Sequence, residues 1–134
     1  MDNRTREMVR LRAGERCEYC GLPQAGHEER FSVDHVLPLK HGGDNSASNL
    51  ALCCLRCNLF KGPNLSGRDI KTQKTVLLFN PRRHKWHYHF RWDGARLVGR
   101  TAMGRATVAT LRINLDHRVA YRQQLIEEGV FPPD

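Results

Sequence analysis

The chain has 134 residues and a mass of 15.4 kDa, enough for one compact unit or a small motif with an extension packed on it. Hydrophobic residues make up 40% and mean hydropathy is −0.60, so the core is modest and gains from an added staple such as a bound metal. A net charge of +8, with a pI near 9.7, points to a polyanionic partner, and no apolar run approaches the ~20 residues of a membrane span.

The charge is unevenly spread. Residues 1–60 carry eight Lys or Arg against eight Asp or Glu, whereas residues 61–134 carry fourteen against six, so the whole excess lies in the second half. The N-terminus, Met1-Asp2-Asn3-Arg4, is polar and lacks the apolar core of a secretory signal. Five cysteines in such a chain read as reduced thiols available to a metal, and the expected location is cytoplasmic.

In chain order, residues 5–13 read as a short helix with Thr5 as N-cap and Gly14 as its stop. Cys17-Glu18-Tyr19-Cys20-Gly21 forms a knuckle whose glycine permits a tight chelating turn. Residues 31–39 are strand-like, with Phe31, Val33 and His35 on one side and Ser32, Asp34 and Val36 on the other; Pro38 ends the run. Residues 40–49 form a loop rich in Gly, Asn and Ser. Leu50 to Cys53 leads into a second knuckle, Cys54 to Cys57, and a helix is expected from about Leu55 to Lys61, ended by Gly62-Pro63.

Beyond it, Thr75 to Phe79 is a β-rich run. Residues 85–92 alternate, setting Trp86, Tyr88, Phe90 and Trp92 against Lys85, His87, His89 and Arg91. Asp93-Gly94 then signals a hairpin with a return strand over 96–101. The aromatic face reads either as core or as a stacking platform for unpaired bases. In the first case the basic face, with Arg82, Arg83 and Arg96, is the surface that grips DNA phosphates. Residues 104–128 predict one or two amphipathic helices stopped by Gly129.

Two C-x-x-C pairs can surround one tetrahedral Zn²⁺, each sulfur at roughly 2.3 Å. Cys17, Cys20, Cys54 and Cys57 are the expected ligands, and the 33 residues from Gly21 to Cys53 are carried between them. Cys53 stands outside the register and reads as a buried small hydrophobe. Inside the clamp lie the groups that phosphodiester hydrolysis requires. An imidazole titrates near neutral pH and can take a proton from water, a role for His35. A carboxylate offers a hard oxygen suited to Mg²⁺ or Mn²⁺, a role for Asp34.

Cys17, Cys20, Asp34-His35, Gly42-Gly43, Asn49-Leu50, Cys54, Cys57-Asn58 and Lys61 together resemble the HNH endonuclease family in its two-zinc-knuckle variety. The resemblance covers about residues 14–64. It implies an α+β chain built on a ββα-metal core stapled by a four-cysteine zinc site, with a C-terminal β-hairpin plus helix extension. Residues 1–66 would form the nuclease motif and residues 67–134 the basic extension. By the same resemblance His35 is the general base and Asp34 and Asn58 bind the catalytic divalent ion. Asn49 ties the loop that aims His35, and Lys61 contacts a phosphate oxygen.

The family's last letter is often His, and here it is Asn58, whose amide oxygen favours Mg²⁺ or Mn²⁺ over softer ions. The expected function is metal-dependent hydrolysis of DNA; the alternative is a non-catalytic zinc-ribbon module that binds nucleic acid. A looser likeness to an extension seen on some bacterial HNH proteins runs from Leu78 to Val108 and implies no role.

Overall fold

The computed structural model describes residues 1–133. Its architecture is mixed α/β, with five helices and three two-stranded antiparallel sheets.

Helix α1 spans Asn3–Arg12, starting two residues before the position expected for Thr5 as cap. Asp2 is the cap instead, its carboxylate accepting from the Thr5 amide at 2.8 Å. Strand β1 (Ser32–His35) pairs antiparallel with β2 (Leu50–Cys53), placing Asp34 opposite Ala51 and His35 opposite Leu50. The strand is shorter than the expected 31–39 run, because Pro38 and the 3-10 turn at Leu39–His41 bend the chain away. Strand β2 is buried throughout, and helix α2 follows at once over Leu55–Lys61. These elements make the ββα unit.

Arginines of α1 brace this unit. Arg10 donates to the carbonyl of Phe31 at 3.1 Å, and Arg12 donates to those of Ala47 at 2.9 Å and Leu50 at 2.5 Å. Basic residues here serve the fold, holding the ribbon where it enters and leaves the loop.

The second half packs on this unit. Strands β3 (Ser66–Arg68) and β4 (Thr75–Leu77) form a small hairpin. Helix α3 (Trp86–His89) is a single turn leading into β5 (Phe90–Asp93), which pairs with β6 (Arg96–Gly99) across Gly94-Ala95. Helices α4 (Ala102–Thr110) and α5 (Asp116–Glu127) complete the chain.

The strand expected over 85–92 is thus half helix. Trp86 and Phe90 lie four residues apart, which a helical turn brings together as readily as alternation does. Their rings sit at 5.2 Å, with Trp92 at 5.8 Å from Trp86. Tyr88 leaves the expected aromatic face and is 69% exposed. The remaining three aromatics pack against the core, so the stacking-platform reading falls away. One buried cluster runs through both halves, from Val9 and Phe31 to Leu97 and Ile113. Trp86 ties them further by donating its indole N–H to the carbonyl of Tyr19, in the first knuckle, at 2.8 Å.

Candidate active site and metal centre

The knuckle residues 17–20 and the start of α2 bring Cys17, Cys20, Cys54 and Cys57 together, all buried, with their sulfurs within 4.8 Å of one another. The Cys20 and Cys54 sulfurs are 3.7 Å apart. A tetrahedron with arms of ~2.3 Å has edges of ~3.8 Å, so the spacing fits one Zn²⁺-sized ion. In each knuckle the amide of the second cysteine points at the sulfur of the first, at 3.5 Å. Cys53 lies buried in β2 outside the cluster.

Between the knuckles, β1 presents Asp34 and His35. Both line a shallow cleft with Asn58 of α2, Pro38, Leu39, Gly62 and Pro63. His35 is partly exposed, and its Nε2 lies 2.7 Å from Asn45 Oδ1. Asn45 was missed by sequence reasoning; its position in a Gly/Asn/Ser loop looked like ordinary turn chemistry.

The loop that carries Asn45 is pinned by Asn49. The Asn49 amide oxygen accepts from the Leu37 N–H at 2.8 Å, and its NH₂ donates to the carbonyls of Leu37 at 3.0 Å and Asp44 at 2.9 Å. Gly43 allows the close approach, since a Cβ there would collide with the Leu37 carbonyl. The side chain of one asparagine therefore stands in for three backbone partners and closes the loop around His35.

Asp34 faces inward and is only 7% exposed. Tyr19 donates its hydroxyl to Oδ2 at 2.8 Å, and Lys61 Nζ lies 3.2 Å from the same oxygen. Burial raises the Asp34 pKa above the ordinary carboxylate value, against the pull of Lys61 and Tyr19. Tyr19 is a further residue that sequence reasoning passed over, although it sits inside the first C-x-x-C.

Lys61, expected at a substrate phosphate, is 2% exposed and turned inward. Its ammonium reaches Asp34, the carbonyl of His35 at 3.4 Å and that of Val36 at 3.3 Å. An ammonium placed there neutralises a buried carboxylate and crosslinks α2 to β1.

The seven residues expected to grip DNA divide. Arg82 is paired with Glu18 of the first knuckle and largely buried, and His89 Nδ1 lies 2.6 Å from the Thr101 hydroxyl, partly buried beside Phe79. Lys85, His87 and His89 do not share a face with Arg91, because the first three lie around a helical turn rather than along a strand. Arg83, Lys85, His87, Arg91 and Arg96 are exposed. Arg83 lines a groove that it shares with Asn49, Asp44 and Gly43 of the pinned loop.

A ribbon, a pinned loop and a helix, drawn together by four clustered cysteines, define a ββα unit with a candidate metal site. Residues 17–64, about a third of the chain, match the family model for HNH endonuclease. Comparison with curated proteins and with solved structures found no match. No helix among the described residues is long and apolar enough to cross a membrane.

Proposed function

We propose that the chain is a metal-dependent endonuclease that hydrolyses DNA phosphodiester bonds. The observation that carries this reading is the single cleft lined by His35, Asp34 and Asn58 inside the HNH segment. With Asn45 Oδ1 accepting from Nε2, the Nδ1 lone pair of His35 is left to take a proton from water. The water oxygen then bonds to phosphorus while the P–O bond to the leaving strand breaks, its electron pair departing on the leaving strand's oxygen, which takes a proton from solvent.

Asp34 and Asn58 offer two hard oxygens that would hold Mg²⁺ or Mn²⁺, an ion that neutralises charge on the phosphate when bound. Lys61 already shares the Asp34 carboxylate, so the ion is expected to bind more weakly here than at an unpaired aspartate. The four clustered cysteines are the zinc staple, and a thiolate site of this kind suits a reducing cytoplasmic setting. The exposed Arg83, Lys85, His87, Arg91 and Arg96 hold backbone phosphates, giving salt-sensitive affinity without base reading.

Incubating plasmid with Mg²⁺ or Mn²⁺ tests the reading. Wild type should nick or linearise the DNA, and His35→Ala should lose cutting while keeping its zinc content and melting temperature. Cutting that survives the substitution would remove His35 as the base. Tight binding with no cutting by wild type would leave a nucleic-acid-binding module.

A further inference from the structure

Helix α5 carries two arginines one turn apart, Arg118 and Arg122, which are 6% and 2% exposed. The Arg118 guanidinium lies 3.1 Å from Cys57 Sγ and 3.8 Å from Cys54 Sγ, and it also donates to the carbonyl of Leu111 at 2.8 Å. Arg122 donates to the carbonyls of Ala95 and Ile113, both at 2.9 Å, and lies over the Trp92 ring. Both arginines border a cavity whose wall includes Cys20 and Cys54. Among the described residues no carboxylate lies within ion-pair distance of either guanidinium.

Two buried like charges on successive turns, with only neutral groups such as carbonyls, an aromatic ring and uncharged thiols around them, would be strongly unfavourable. Four thiolates holding one divalent ion carry two negative charges, the missing counter-charge in sign and number. We propose that α5 supplies the counter-charge of the metal centre, with Arg118 as the residue that hydrogen-bonds Cys57 and retains the ion. The C-terminal helix and the knuckles then form one metal-linked folding unit. This rests on the four cysteines binding a divalent metal and is independent of whether His35 cuts DNA.

The test uses the full chain loaded with Co²⁺ as a spectroscopic probe. Arg118→Met should release the ion to a chelator about 10- to 100-fold faster than wild type. Its thiolate-to-cobalt charge-transfer band should move to lower energy, since an unbonded sulfur donates more readily. Arg118→Lys, which keeps the charge and loses the fork, should recover part of the retention. An unshifted band with wild-type release would overturn the proposal, even if the melting temperature fell.

Should Arg118→Met fail to fold, hydrogen exchange on wild type decides. Stripping the metal should expose the amides of 116–127 together with those of both knuckles. Protection of α5 that survives stripping would sink the coupling.

Discussion

Asp34 and Lys61 form a pair whose two members are almost fully shielded from water, at 8% and 2% side-chain exposure. Removing one partner strands the other as a buried charge, a defect of about 3–5 kcal/mol. Lys61→Met should therefore shift the urea midpoint by that order, and adding Asp34→Asn should recover part of the loss. Asn49→Ala should cost less, about 1–2 kcal/mol, because the freed Leu37 and Asp44 groups can reach solvent. Its plasmid cutting should fall much further than its stability, since the loop that holds Asn45 against His35 comes loose.

Asp69 predicts an acid limit. Two guanidinium contacts from Arg105, at 2.8 and 3.0 Å, and the Thr72 hydroxyl at 2.7 Å hold its carboxyl well below the ordinary value of 3.8, against the effect of burial. The folded pKa is depressed, so this stabilisation is present above 3.8 and is lost as the pH falls through and below it. Asp69→Asn should flatten the fall in denaturant midpoint below about pH 4. At these positions residue type was readable in the chain, and partner choice was not. Lys61 has the spacing of a phosphate contact one turn after Asn58, yet its side chain is buried and its ammonium meets Asp34.

Among elements, the ββα unit followed from its punctuation: Pro38 stopped β1, and Gly62-Pro63 stopped α2 at the expected residue. The segment from Trp86 to Trp92 did not yield so easily. Its alternation fits a strand, but Gly99 and Gly104 let α4 press against β6 and against the carbonyl of His89, with no room for a Cβ at either. That close approach selects a helical turn over Trp86–His89, from which the Thr101 hydroxyl meets His89. Gly104→Ala should destabilise by about 1–3 kcal/mol through backbone displacement. A thermal melt with an unchanged midpoint would show that α4 and α3 are not locked in this way. The β3–β4 hairpin was half legible: Thr75 to Leu77 had the composition of a strand, whereas Ser-Gly-Arg at 66–68 had none and pairs because α4 lies beneath it.

At the level of the entire chain, the excess charge and the DNA reading meet in one measurement. If Arg83 and Arg91 each hold a phosphate, replacing either with Ala should weaken binding to all sequences alike. Each change should also reduce the slope of log K against log salt by about 1. Arg82→Ala should instead lower stability and leave the slope unchanged, because its guanidinium is paired with Glu18.

The four-cysteine cluster, the order of the motif and the positions of its helix and ribbon were legible because they depend on local chemistry. C-x-x-C spacing, proline stops and a histidine next to an aspartate act over a few residues. What only tertiary packing settled was the direction of side chains whose partners lie far along the chain. Arg118 meets Cys57 across 61 positions, Arg82 meets Glu18 across 64, and Tyr19 meets Asp34 across 15. A charged residue reads the same in a sequence whether it faces a phosphate or a buried anion, and burial decides which.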